Sequence, residues 1–249
     1  MKRGVQMAKT ILVASGKGGV GKSTVSVFLS EAFAKSNSSV LVLELDCGLR
    51  NLDVSFGVTK DILFDLGDIV RGSCDIKDAV YTSKFFPQLS FIPAALKPTE
   101  VTADDIKKII SKIGDDFEYI VIDCPAGLGE AFESAAPNAD MALVVATPDP
   151  SSIRGARTTG AALLNLGTKN RRLVIERCPQ KAKDLSPIND LDEIIDGTEL
   201  QLIGVIWEDP DVRIAMDSGT PLDVDSTNYK TFRDLAERIR GNNIPLGFK

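Results

Sequence analysis

Short, uninterrupted apolar runs rich in Val, Ile and Leu recur at 11–14, 40–45, 89–94, 119–124, 141–147, 172–177 and 202–207. Runs without polar alternation are what parallel strands need when helices cover both of their faces. Between them the period changes to that of a helix. Ile106, Ile109, Ile110 and Ile113 fall at i, i+3, i+4 and i+7, a single stripe on a helix surface. The stretch 25–35 is helix-like, 151–166 reads as a helix capped by serine, and Tyr229, Phe232, Leu235, Ala236 and Ile239 present another apolar face that stops near Arg240. These stripes are core. Their alternation with the strands predicts an α/β fold, a mostly parallel central sheet flanked by helices on both faces, with ligands received at the carboxyl ends of the strands.

The run at 11–14 leads into Gly16, Lys17, Gly18, Gly19, Val20, Gly21, Lys22, Ser23 and Thr24. Gly16, Gly21, Lys22 and Ser23 satisfy the G-x-x-x-x-G-K-[ST] pattern of a phosphate-binding loop. Glycines let the backbone turn tightly and aim successive N–H groups at one anion without Cβ obstruction. The helix that follows adds its own unpaired N–H groups and a positive dipole end. Lys22 then reaches the β and γ phosphates and the Ser23 hydroxyl ligates Mg²⁺, so a nucleoside triphosphate is the expected occupant. Lys17 is a second cation in a loop that needs one, and its bland reading is a solvated turn lysine.

Two further motifs fall at strand ends. Glu44, Leu45 and Asp46 close the second run and continue as Cys47, Gly48, Leu49, Arg50, Asn51, Leu52 and Asp53. A carboxylate there can orient an attacking water beside a γ phosphate or cap the loop, and the residues alone leave both open. Ile120, Val121, Ile122 and Asp123, followed by Cys124, Pro125, Ala126 and Gly127, have the form of a Walker B segment, whose Asp holds Mg²⁺ directly or through water.

Composition narrows the chemistry. The 249 residues suit one α/β domain over 1–249, with 1–8 and 241–249 as short tails. A net charge of -6 opposes binding to DNA or anionic lipid. The chain has no histidine, which removes the usual general base, the usual zinc ligand and any Ser-His or Cys-His pair. Cys47, Cys74, Cys124 and Cys178 are scattered and read as reduced thiols of a cytoplasmic protein. The basic start is neither a signal peptide nor an anchor, and no run approaches the ~18 apolar residues of a membrane span.

The string K-G-G-V-G-K-S-T at 17–24 is similar to the deviant Walker A motif, and by it the chain is identified as a member of the MinD/ParA family of P-loop ATPases, nearest the MinD branch. The x-x-D-x-G-L-R-N-L-D pattern around Asp46 and the D-x-P-A-G pattern around Asp123 resemble the family's two switch segments. The resemblance runs from Ile11 to about Leu246. It implies a slow, Mg²⁺-dependent ATPase that acts as an ATP-dependent homodimer and is accelerated by a protein partner. It also implies that Lys17 reaches across the dimer to the partner's nucleotide, that Asp46 positions the hydrolytic water and that Asn51 helps order the first switch. By the same likeness Gly127 sits by the γ phosphate, Asp123 with Ser23 holds Mg²⁺, and Asp149, in Pro148 to Arg154, approaches the partner's nucleotide.

Four departures stand beside the resemblance. Glu44 replaces the family's common Asp and lengthens the carboxylate's reach. Where many relatives read V-x-N-R, this chain has Val174, Ile175, Glu176 and Arg177; ionised Glu176 only accepts hydrogen bonds, which suits guanine's N1–H and N2–H₂ better than adenine's N1. Trp207, where relatives often carry Pro, either stacks on the base or closes the core. After Arg240 the remaining residues, with Pro245 and Gly247, make a poor interfacial helix, so no vesicle binding through a tail is expected.

Three alternatives come from other classes: a ParA-type partition protein on DNA, which the acidic charge opposes, an iron-sulfur carrier with paired cysteines at a dimer interface, and a P-loop ligase. ATP remains the expected nucleotide because the surrounding motifs are those of ATPases. In competition against a fluorescent analogue, ATP is expected to displace it at lower concentration than GTP, and the reverse order overturns the assignment.

Overall fold

β1 (Lys9–Ala14) runs down the middle of the sheet, hydrogen-bonded in parallel to a strand on each side, and everything after it is laid out from that axis. The structure, a computed structural model, describes residues 8–48, 50, 52–59, 62–180, 185, 187–188 and 190–246. After β1 come α1 (Lys22–Lys35), β2 (Val40–Glu44), α2 (Leu52–Phe56), α3 (Leu66–Arg71), β3 (Tyr81–Thr82), β4 (Leu89–Ile92) and α4 (Ala103–Ile113). Then follow β5 (Tyr119–Asp123), α5 (Glu130–Ala135), β6 (Met141–Ala146), α6 (Pro150–Asn165), β7 (Arg171–Cys178), α7 (Leu191–Thr198), β8 (Gln201–Trp207), α8 (Pro210–Ser218) and α9 (Thr227–Arg240).

Among the described residues the sheet has the order β3-β4-β2-β5-β1-β6-β7-β8. Every pairing is parallel except that of β3 with β4. Successive side chains of a strand point to opposite faces, and here both faces are dry. Leu12, Leu41, Leu43, Ile120, Ile122 and Val144 pack toward α3 to α7, while Ile11, Val13, Val42, Val121, Leu143 and Val145 pack toward α1, α2, α8 and α9. That two-sided burial is why the strands read as unbroken apolar runs. It also explains α1, which is buried on nearly all sides between the sheet and α9; Phe33 stacks on Tyr119 at 4.0 Å and Phe28 meets Phe232 at 5.5 Å.

All seven expected strands form, within a residue or two of their expected bounds. β3 was not expected, since two residues leave no periodic signal, and neither were the short helices α2, α3, α5, α7 and α8. The serine cap expected for α6 is corrected. Asp149 is the cap, accepting from the N–H groups of Ser151 and Ser152 at 3.2 and 3.0 Å. Pro150, which has no N–H to satisfy, takes the first helical position and displaces the serines into the first turn. Past α9, Gly241 (φ 96°) ends the helix, and Arg238 donates to the carbonyls of Ile203, Ile244 and Pro245, strapping the following residues over β8 at the sheet's edge. Residues 1–7 and 247–249 of the expected tails lie outside the described residues. No helix among the described residues is long and apolar enough to cross a membrane.

Glu31 is the anomaly of α1, a carboxyl buried between α1 and α9. Burial pushes it up to about 8, with Lys35 offsetting part of the rise. An acid whose folded value lies above its unfolded one holds its proton in the folded state. Its contribution is therefore complete below the ordinary carboxyl range near 4.5 and is lost as pH climbs toward 8. Glu31→Gln is expected to leave the melting temperature unchanged near pH 4 and to raise it by roughly 10–20 °C at pH 9, as measured by calorimetry.

Candidate functional site

The loop between β1 and α1 stands at the carboxyl end of the central strand. Gly19 (φ 71°) and Gly21 (φ 95°) both take the left-handed conformation that a Cβ disfavours. Gly21 is the residue before α1, and because it carries no side chain to cap the helix, and the first turn holds no acid, the N–H groups of that turn remain free to meet an anion. The Val20 side chain is buried in the core and anchors the loop, so of that residue only the backbone is offered to a ligand. Ser15 Oγ donates to the Lys17 carbonyl at 2.8 Å, and the Gly127 N–H donates to the Ser15 carbonyl at 2.9 Å, tying the loop to the segment after β5. Lys22 is buried, Thr24 half-buried, and Gly18 has only Ala126 nearby.

Parallel register sets Asp123 beside Val13 at the end of β1. Its carboxylate accepts from Ser23 Oγ at 2.8 Å and from Ser26 Oγ at 2.6 Å. Burial pushes the Asp123 carboxyl up. The two serine hydroxyls and Lys22 pull it back, and Asp46 adds to the rise. A buried, incompletely compensated carboxylate touching a hydroxyl, both hard oxygen donors, is a donor set that fits Mg²⁺.

Asp46 is half-buried just past β2 and close enough to raise both Asp123 and Cys124, so it faces the same crevice. Glu44 takes a different part. It is buried and accepts from the N–H groups of Leu52 (3.3 Å) and Ala94 (3.1 Å), spanning from the start of α2 to the end of β4. Asn51 lies outside the described residues. Arg50 was not expected to matter, yet it adopts φ 34° and donates to Asp65 at 2.9 Å and to the Ala94 carbonyl at 3.3 Å. Asp65 caps α3. No sequence signal joins these two residues, because their contact exists only once β4 and α3 are in place.

Lys17 Nζ lies 3.0 Å from Asp149 Oδ1 in the same chain, with both side chains more than a third exposed. Burial works to raise the Asp149 carboxyl, but hydrogen bonds from Thr147, the Ser152 N–H and Lys17 outweigh it and bring it down to about 2. At the end of β7 the Glu176 carboxylate sits against Gly21, where an added Cβ would come within 2.5 Å of Glu176 Cδ. Arg177 donates through Nε to Glu176 at 3.0 Å and through Nη2 to the Gly19 carbonyl. Trp207 is half-buried against the core, its backbone N–H and C=O both bound by the Asn228 side chain at 3.0 and 3.1 Å.

The cysteines contribute little. Burial pushes the thiols of Cys124 and Cys178 up to about 12 and about 11, which makes them poor nucleophiles. Among the described residues no group of three or more His, Cys, Asp or Glu could hold a metal ion.

The AAA domain family profile matches residues 8–175. The septum site-determining protein MinD of Bacillus subtilis is 35% identical over 246 residues, covering 96% of this chain and 92% of that protein. Among solved structures, the MinD of the Aquifex aeolicus MinC:MinD cell division protein complex is 30% identical with a TM-score of 0.89, over 97% of this chain and 99% of that one. The MinD of Pyrococcus horikoshii complexed with Mg-ADP is 26% identical with a TM-score of 0.83, over 94% and 96%.

The loop's first glycine tests how tightly the site is built. A Cβ on Gly16 would stand 2.5 Å from the Gly155 carbonyl oxygen of α6, a backbone atom that cannot swing aside. Gly16→Ala is expected to cost roughly 2–3 kcal/mol, seen in urea denaturation as a lower midpoint at unchanged slope.

Proposed function

The chain belongs to the MinD family of septum site-determining P-loop ATPases, and we propose that it binds and slowly hydrolyses ATP as a nucleotide-controlled dimer switch serving division-site or other spatial placement. The observation that carries the reading is the 2.8 Å contact between Ser23 and Asp123, which joins the phosphate-loop serine to the acid of the second motif across 100 residues of sequence.

The polyphosphate lies in the glycine loop against the open amino end of α1. Lys22 binds the β and γ phosphates. Ser23 and Asp123 would hold Mg²⁺, which when bound supplies neutralising charge at the phosphate oxygens. Asp46 orients a water for in-line attack; the water oxygen bonds to the γ phosphorus as the bridge to the β phosphate breaks and ADP leaves. A chain without histidine relies here on positioning and electrostatics, so the intrinsic rate is low and an activating partner raises it. The Aquifex aeolicus MinC:MinD complex supports a MinC-type protein as one partner class.

Lys17 crosses to the nucleotide of a second copy. In the isolated chain it rests on Asp149, but an exposed ion pair contributes at most about 1 kcal/mol, so a polyphosphate displaces it readily. Hydrolysis then removes the contacts that order the segments after β2 and β5, and the dimer parts. Size-exclusion chromatography with light scattering on Asp46→Ala is expected to give a doubled mass with ATP and a single-chain mass with ADP. Equal masses with the two nucleotides would remove the switch.

A further inference from the structure

We infer that Glu176 and Arg177 are positioning residues for the nucleotide, a charge-balanced brace in which Arg177 fixes the Gly19 carbonyl, Glu176 seats Gly21, and the charge on Glu176 opposes the polyphosphate. The inference rests on the reading of the glycine loop as the triphosphate site.

The brace begins with a fault in the sheet. The pairing of β7 with β8 loses register between Ile175 and Cys178, and Arg177 takes a left-handed φ of 52°, a conformation that a Cβ disfavours. The kink leaves Glu176 buried beside the loop, 4% exposed, and lays the Arg177 guanidinium over it, so that two consecutive residues address one loop.

Each contact has a consequence for phosphate binding. A trans peptide points its C=O and its N–H to opposite sides, so holding the Gly19 oxygen on Arg177 aims the Val20 N–H the other way and sets one donor of the loop. Glu176 packs against Gly21, the residue that opens α1, where an anion is to be received. A carboxylate there competes with the polyphosphate for the same positive end of the helix. The charged groups facing Glu176 are Arg177 beside it and Glu208 just past β8. Burial first, then Glu208, raise its carboxyl to about 7 despite Arg177. Protonation thus falls near neutrality, where one added proton removes the opposing charge and leaves Arg177 to favour the phosphates.

Equilibrium titration with Mg-ATP at pH 6, 7 and 8.5 tests the brace on the wild type, Glu176→Gln, Arg177→Ala and the double variant. Circular dichroism verifies each fold. Comparing chains at one pH cancels the nucleotide's own titration. Wild type and Glu176→Gln are expected to bind alike at pH 6, and the wild type about tenfold more weakly than the variant at pH 8.5. Arg177→Ala weakens binding throughout and moves the pH dependence to higher pH, because Arg177 no longer holds the Glu176 carboxyl down, and adding Glu176→Gln flattens it. A Glu176→Gln profile that tracks the wild type at every pH, or an Arg177→Ala chain that binds as the wild type, overturns the brace alone. A folded wild type that binds no nucleotide at any pH overturns the triphosphate site itself, and the brace with it.

Discussion

Asp123, buried at the end of β5, accepts the hydroxyl hydrogens of Ser23 and Ser26 from the first two turns of α1, and that contact dictates where the loop between β1 and α1 can lie. Parallel pairing presents Asp123 alongside Val13, so the helix must return over the sheet at the place where β1 ends. With strand and helix both held, the intervening residues have little choice of path. Glycines at left-handed φ complete the turn and leave the backbone N–H groups of the helix start uncovered.

A carboxylate drawn out of water is expensive unless compensated, and the sheet's carboxyl end holds several, from half-exposed to buried, that are compensated to different degrees. Asp149 is fully provided for and stays acidic. Asp123 has two hydroxyls and a lysine but also Asp46 beside it, which leaves room for a cation. Glu176 has one arginine against both burial and Glu208. The gradation is one of environment alone, since the three residues are of the same chemical type.

Ion pairs show a similar division. Arg50 and Asp65 are each about one-tenth exposed, and breaking such a buried pair costs several kcal/mol, so the segment after β2 is firmly joined to α3. Glu44 adds a tie to α2 and to the end of β4. Lys17 and Asp149, by contrast, meet in solvent, where screening leaves little to lose when Lys17 changes partner.

The sequence by itself determined the strands, the long helices and the phosphate loop, because two-sided burial writes itself as apolar runs and a glycine loop as a local pattern. It also named Ser23 and Asp123, since strand-end motifs are contiguous. It could not decide that Asp149 rather than a serine caps α6, that Glu44 is a tie between backbone segments, or that Arg50 pairs with Asp65. Nor could it bring Glu176 against Gly21. The cap is a local choice made by Pro150, but the other contacts join residues from 8 to more than 150 positions apart, and only the packing of helices on a completed sheet, with the kink at the end of β7, brings their charges within reach.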